Sequence, residues 1–401
     1  MKKWNTKSFI LLISFFASIF ALSAAAFAIA SNSTTYIDID NEDELLSIND
    51  NLEGNYRLQS DIDLSKKWTP IGSKTKPFKG LLFGNGHQIR NISFNSQTPT
   101  SGDFSYFGFF GYNSGTVLST YFSFADSDVT NLDSLGGSGA VFGPIAAVNE
   151  GYITSCSWGG TSSSFLFSGT GVTVGGFAGI NRGQIKKCKT NCGLVTEGLF
   201  GTSFLGGIAG KSEDGAIYEL IDSFVSVQCH SQAADSVVLY CGGFSGSCSG
   251  SVLVKNCCGE AQNFSFPNVY SNLYFGGFFG YSSGSSITVQ QSCSYPTVWS
   301  TPSNGYLGGL IGFASSDSKI ALTSVYSDGK YFSKCYFGGA VIASDLQISS
   351  NNLFFTSEPI SLGNSFVYGN KIKESEASLS RVGLDTTYWN SNSQGKPTPD
   401  F

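Results

Sequence analysis

The unit Gly-Gly-hydrophobic-x-Gly recurs along most of the 401-residue chain. A repeat at near-constant spacing restricts the possible folds more than any single motif does. The clearest copy is GGFAGINRGQIKKC, Gly175 to Cys188. Aligned on its second glycine, the equivalent positions are Gly108, Pro144, Gly176, Gly207, Gly243, Gly277, Gly309 and Gly339, spaced 36, 32, 31, 36, 34, 32 and 30 residues apart. Three residues later stand Gly111, Ala147, Gly179, Gly210, Gly246, Gly280, Gly312 and Ile342. Glycine permits positive φ at a corner, and repeating the corner repeats the glycine.

The next columns extend the register. Asn113-Ser-Gly115, Asn149-Glu-Gly151 and Asn181-Arg-Gly183 are turn signals, followed by Val117, Ile153 and Ile185. Later copies keep a turn glycine at Gly215, Gly250 and Gly284 and resume with Ile217, Val252 and Ile287. Each unit reads as short strand, glycine corner, short strand, polar loop. Runs such as SVLVKNC and SSITVQQSC are strand-like in β-branched content and alternation.

Repeats of 30–36 residues with short strands predict an all-β fold, a β-solenoid with one coil per repeat. Pervasive glycine disfavours helical repeats. Propeller blades need about 40–50 residues and four strands each. In a solenoid, equivalent residues stack about 4.8 Å apart. Phe109, Phe177, Ile208, Phe244, Phe278 and Leu310 are then expected to point inward and pack on their copies.

Composition fits a large packed core. Glycine numbers 49, aromatic residues make up 14% and charged residues 13%, the opposite of a disordered chain. The start reads as a signal peptide, residues 1–28: a basic segment with Lys2, Lys3 and Lys7, an apolar run from Phe9 to Phe20, then Ala26-Phe27-Ala28 and Ala28-Ile29-Ala30 as cleavage sites after 28 or 30. An uncleaved anchor is the alternative. Otherwise no membrane span is expected. A secreted or cell-surface monomer follows as the expectation. Three of the 23 basic residues lie in the leader, leaving 20 against 29 acids, a formal charge of −9. That excess argues against nucleic acid and anionic membranes as partners.

Ten cysteines, Cys156, Cys188, Cys192, Cys229, Cys241, Cys248, Cys257, Cys258, Cys293 and Cys335, lack the paired spacing of a zinc site. Cys156 and Cys188 share a repeat column, and Cys257 and Cys293 lie near the matching one. Coil-to-coil spacing allows both cross-coil disulfides and a buried thiol ladder. With two histidines, His87 and His230, no metal site or cofactor is expected. Asn32, Asn91 and Asn263 begin N-x-S/T sequons, which matter in a eukaryotic secretory pathway.

The open ends of a solenoid need covers. DIDNEDELLSINDNL offers Asp40 or Asn41 as an N-cap, acids in the first turn, then Leu45, Leu46 and Ile48: a short capping helix. Trp389 is the expected plug at the other end. The organisation expected is a cap and first coils over 31–100, the repeats over 101–345, and a degenerate last coil with C-terminal cap over 346–401.

Residues 55–93 carry Tyr56, Leu58, Asp61-Ile62-Asp63-Leu64, Trp68, Pro70-Ile71-Gly72, Phe78, Gly80 and Gly84-Asn85-Gly86-His87. This order resembles the first coils of bacterial GLUG-repeat proteins. GGFAGINRGQIKKC is similar to the GLUG repeat itself, and Tyr388-Trp389-Asn390 to the Tyr-Trp-Asp that often closes such arrays. The later copies depart from it, with Cys248 and Ser282 where the repeat has Asn. The resemblance implies a secreted or surface right-handed parallel β-helix. It implies no defined activity, and no adhesive or protease module is evident beside the repeats.

Sequence signals for chemistry are few. LGGIAGKS, Leu205 to Ser212, imitates a phosphate loop, but its glycine spacing is one residue short and a strand pattern follows it. Asp61 and Asp63, two apart on one face of a strand, match the pairing of a glycan-cleaving acid and base; Asp38 and Asp40 repeat the spacing. The alternative for Asp61 and Asp63 is bonding to local backbone donors. His87 sits in a turn-then-strand signal. From Phe275 to Leu310 no residue is charged, which leaves little for a charged active site. No catalytic, cofactor or metal residue is therefore assigned. The expected function is a non-catalytic surface for binding or adhesion to extracellular protein or glycan. A polysaccharide lyase or hydrolase and a passive surface-layer spacer are the alternatives.

Overall fold

The computed structural model describes residues 35–94, 105–125, 130–131, 138–160, 164–190, 193–219, 221–229, 238–265, 272–300, 305–328, 330–331, 336–337, 341–343, 347–355, 370–371, 379–382, 384–391 and 397–399. The leader, Asn32, Cys192 and Cys335 lie outside them. Asn263 and Cys229 lie in strands whose side chains at those positions are not described.

The coil that starts at Thr173 holds five short strands, the last of them Gly193–Phe200, more than the two strands the sequence suggested. In the best-defined repeat, Thr173–Gly175 runs in one sheet. The chain turns at Gly176 and Phe177. Ala178–Asn181, Gln184–Lys186 and Lys189–Thr190 then run in a second, larger sheet. Equivalent strands pair in parallel. Phe110, Ala146, Ala178, Ala209, Ser245, Phe279, Ile311 and Val341 form one ladder. Their spacing is that of the aligned glycines, so the chain is a parallel β-solenoid with one coil per repeat.

The oily residues after the glycine pair fill the bore: Phe109, Phe177, Ile208, Phe244, Phe278 and Leu310 are all fully buried. Phe244 stacks on Phe278 with ring centroids 4.5 Å apart, and Trp68 on Phe109 at the same distance.

The elbow glycines serve a different purpose from the one the sequence suggested. Neither Gly176 nor Gly277 has positive φ. A Cβ on Gly176 would instead lie 1.9 Å from the carbonyl oxygen of Gly207, and one on Gly277 2.1 Å from that of Gly309. The elbow is packed backbone on backbone between coils. Positive φ belongs to the next corner, at Gly215, Gly250 and Gly284 (φ 90°, 69° and 56°).

That second corner also corrects a column. From Ala178 to Gln184 is six residues, but from their partners Ala209 to Ile217 is eight. The longer turn slides the following strand. Tyr218, not Ile217, sits over Ile185, and Val254 and Val289 continue that column. Ile217 lies over Gln184, and Val252 and Ile287 stack above Ala216.

The asparagines of the second corner point inward. Asn113 Nδ2 donates to Asn149 Oδ1 (2.7 Å), and Asn149 Nδ2 to Asn181 Oδ1 (2.8 Å), all three being fully buried. Asn113 and Asn181 also accept from Gly115 N–H and Gly183 N–H, closing the turn. In the next coil Ser212 replaces asparagine and is too short to continue the row. The longer turn brings Tyr218 beneath it, and the two hydroxyls bond at 2.6 Å. Further on, Ser282, Ser285 and Ser318 bond to one another.

The third corner was invisible in the sequence. Asn91, Ser119, Ser155, Lys187, Asn256, Gln291 and Ser324 all hold φ between 47° and 59°. Left-handed backbone costs a non-glycine residue roughly 1 kcal/mol. At five of the seven the next residue offsets it with a buried side-chain bond to the carbonyl two residues back: Thr120 to Leu118 (3.0 Å), Cys156 to Thr154 (3.3 Å), Cys188 to Lys186 (3.2 Å), Cys257 to Lys255 (3.1 Å) and Ser292 to Gln290 (2.7 Å). Cysteine here acts as a small buried donor, interchangeable with Thr and Ser. Burial pushes the Cys156 thiol up to about 12. Every cysteine whose side chain is described is buried and none of these is joined in a disulfide. Of the two later cysteines, Cys257 continues the Cys156–Cys188 column and lies over Ser292, whereas Cys293 stands one residue off it and faces Cys258.

The N-terminal end is covered as the sequence predicts, whereas Trp389 packs on the flank of the stack and not on its open end. Helix Glu42–Leu46 is capped by Asn41, whose side chain accepts from Glu44 N–H, and Leu45 and Ile48 are fully buried. Trp389, also fully buried, packs with Val382 and Leu384 against Cys258, Cys293 and Tyr326, which stand over one another on three successive coils, and the stack continues beyond them with Phe354 over Tyr326. None of the described helices is long and apolar enough to cross a membrane.

Removing the middle amide of the asparagine row orphans buried groups on both sides. Asn149→Ala should lower stability by about 2–3 kcal/mol in chemical denaturation, whereas Asn85→Ala, on an exposed turn, should cost far less.

Candidate functional site

Of the four candidate aspartates, Asp61, Asp63 and Asp38 are engaged through their carboxylates, while the exposed Asp40 donates its backbone N–H to Glu44. The Asp61 carboxylate accepts from Gln88 N–H (3.1 Å), lies 3.3 Å from His87 Nδ1 and is clamped by the Arg90 guanidinium. Asp63 accepts weakly from Asn91 Nδ2 (3.4 Å) and lies 3.8 Å from Arg90. Asp38 pairs with Arg57 at 2.8 Å. These contacts fasten the first coils, the role that the backbone-donor alternative gave Asp61. The Gln88 amide bond, with the His87 and Arg90 contacts, holds the Asp61 carboxyl below its usual range against a small desolvation penalty. His87 is partly exposed and its described polar neighbour is Asp61.

LGGIAGKS is a repeat rung: Thr202–Gly206 and Ala209–Ser212 are strands on either side of the elbow, with no helix after them. Lys211 Nζ lies 4.0 Å over the Phe204 ring. Among the described residues, no three His, Cys, Asp or Glu side chains group closely enough to hold a metal ion.

The elbow itself builds the most distinctive surface. Two outward columns flank it, and the side-chain-free glycines bring them together. In the smaller sheet, Phe204, Tyr240, Tyr274 and Tyr306 lie on successive coils. Their rings stack with centroids 5.0, 4.9 and 5.0 Å apart and planes within 17°. Across the elbow, Lys211, Ser247, Tyr281 and Phe313 form the second column. Tyr281 and Phe313 are parallel at 5.8 Å. Between columns the rings cross steeply: Tyr274 meets Tyr281 at 5.5 Å and 75°, and Tyr306 meets Phe313 at 5.5 Å and 72°. All six rings are half-buried. An isolated pair, Tyr106 and Tyr112, occupies the same columns in an early coil.

This aromatic ribbon presents ring edges and phenol hydroxyls over at least four coils. Its stacked faces are turned to their neighbours, not to solvent. Burial raises the Tyr240 and Tyr274 phenols above their ordinary value, so both stay neutral donors at physiological pH. Between Glu260 and Asp317 the chain has no charged residue. The aromatic column singled out in the sequence was the one after the glycines, which is core. The signal lay two residues before the pair, in SFLGG, LYCGG, LYFGG and GYLGG.

No family model matches the chain, and no curated protein sequence matches it. Among solved structures, a "putative immunoglobulin A1 protease" from Bacteroides ovatus is 17% identical with a TM-score of 0.42, over 92% of this chain and 93% of that one. A structure named "IgA1 Protease" is 12% identical with a TM-score of 0.42, over 90% of this chain and 24% of that one. At these values the likeness carries no argument about activity.

The Asp61 clasp has a pH signature. Its folded carboxyl is depressed, so its contribution is complete above the ordinary unfolded value of about 4 and is lost as pH falls through the lower folded value. Hydrogen-exchange protection of the Gln88 amide should drop in that window while the Asn149 coil stays protected. Asp61→Asn should remove the pH dependence.

Proposed function

We propose that this chain is a secreted or cell-surface, non-catalytic repeat protein of the GLUG kind, and that the aromatic ribbon is its binding surface for an uncharged glycan. The ribbon carries the reading. Half-buried aromatic rings arrayed on one face cost solubility and are not needed to close a coil, because the early coils carry Val141, Thr173, Val148 and Ile180 in the same columns. Tyrosine supplies rigid contact area with few rotamers to freeze, plus a hydroxyl for a hydroxyl-rich partner. The neutrality of the surrounding sequence favours an uncharged partner over an anionic one. The repeat motif and leader support the family and the location. The engagement of Asp61, Asp63 and Asp38 by cations and backbone favours binding over cleavage.

The test is a glycan-binding screen followed by titration of the best ligand. Tyr240→Ala, Tyr274→Ala and Tyr306→Ala should each weaken binding by about tenfold, which corresponds to roughly 1.4 kcal/mol. Tyr106→Ala, in the isolated pair, should leave affinity unchanged. Glycan turnover abolished by Asp61→Ala and Asp63→Ala would overturn the proposal in favour of an enzyme.

A further inference from the structure

Of the described thiols, one pair differs from the rest. Cys258 and Cys293 occupy the same register on adjacent coils, with sulfur atoms 3.2 Å apart and both side chains almost wholly buried. Paired parallel strands hold Cα atoms about 4.8 Å apart, inside the roughly 4.4–6.8 Å that a disulfide spans. Cys156 and Cys188 also lie on adjacent coils, but each donates to backbone carbonyls, Cys156 to Thr154 and Val117, Cys188 to Lys186 and Ile153. Their thiols are spent on the third corner. Those of Cys258 and Cys293 face each other.

What lies over the pair is the C-terminal cap. Tyr326, Val382, Leu384 and Trp389 form one buried cluster with the two cysteines, and Tyr295 packs against it. The Tyr295 hydroxyl donates to the Pro397 carbonyl at 2.5 Å, tying the hairpin Trp389–Ser391 and Pro397–Pro399 to the coil. The cap therefore controls access to the sulfurs.

We propose that Cys258 and Cys293 form a cross-coil disulfide site beneath the C-terminal cap, closed by a small-molecule disulfide before the cap docks. One cysteine thiolate attacks the oxidant's S–S bond and releases one small thiol. The second cysteine then attacks the protein-bound sulfur of this mixed disulfide and releases the other. The protein loses two hydrogen atoms, and the oxidant is reduced to two thiols. The new bond closes a loop of one whole coil, which restricts the unfolded chain and favours the capped state.

The experiment uses the full chain, refolded from the reduced state with oxidised glutathione, then denatured, alkylated and mapped by mass spectrometry. The expected product links the peptides of Cys258 and Cys293 and leaves Cys156 and Cys188 alkylated. Once folded, the reduced protein should oxidise slowly, and Trp389→Ala should accelerate that step at least tenfold. The oxidised form should melt several degrees above the dithiol form. Three results would each overturn the proposal: alkylation of both Cys258 and Cys293 after refolding in oxidant, linkage of Cys293 to Cys257 instead, or an oxidised form less stable than the dithiol. Cys258→Ser, which leaves Cys293 without its facing sulfur, keeps the test decisive if Trp389→Ala fails to fold, because it should abolish the linked peptide.

Discussion

Parallel pairing at one strand spacing sets each residue directly over its counterpart in the previous coil. Whatever stands in a column must therefore tolerate its own copy at close range. Backbone tolerates backbone at the elbow only where Cβ is absent, so Gly176 meets Gly207 and Gly277 meets Gly309. Asparagine tolerates asparagine because an amide both donates and accepts, so Asn113, Asn149 and Asn181 satisfy one another in the interior. A buried charge could not do so. On the surface, charges stack only by alternating in sign. Glu150, Arg182 and Glu213 follow one another on successive coils, as do Lys186, Glu219 and Lys255.

The same constraint decides what was legible in the sequence. The elbow was legible because glycine recurs where a Cβ would strike a carbonyl, with Pro144 the exception, and the coil length could be counted from it. The bore was legible because Phe109, Phe177 and Phe278 answer to that count. The third corner was not, because Ser119, Lys187 and Gln291 share no chemistry. What they share is a left-handed backbone supported by the residue that follows. The slip at Ile217 was not legible either. Two extra residues in a polar turn leave no mark except the tyrosine that moves into the column. Tyr218 and Ser212 together replace one asparagine, a compensation visible only when both are seen in the interior. Of the candidate site, the aspartates and the false phosphate loop could be weighed on sequence alone. The ribbon could not, since it joins residues seven apart across an elbow whose angle no pattern encodes.

The ends follow a different logic from the middle. A rung inside the stack has two neighbours, and the first and last have one. The N-terminal end is closed locally: a capped helix of five residues sets Leu45 against the core, with Ile48 following in the next turn. The C-terminal segment is fastened to the stack from a distance, by Trp389 packed with Val382 and Leu384 against a tyrosine and two thiols. Its indole Nε1 has no hydrogen-bond partner among the described residues. An attachment that leaves one buried donor unpaired is the weaker of the two. It is also the one that stands over the facing sulfurs.

Stacking also limits where function can reside. Inward columns are committed to the bore, the amide row and the corner donors, and a change there is repeated against two neighbours. Outward columns are bound only by coil spacing, and most carry small or polar residues. The pair flanking the elbow differs. It begins with an isolated Tyr106–Tyr112 contact, passes through Val, Thr and Ile, and becomes aromatic on one side from Phe204 and on both from Tyr274 and Tyr281. The coils with and without the rings keep the same strand register on both sides of the elbow, so folding the coil does not require them. Half-exposed rings that the fold does not demand, at a spacing the fold enforces, form a regular surface suited to a regular partner.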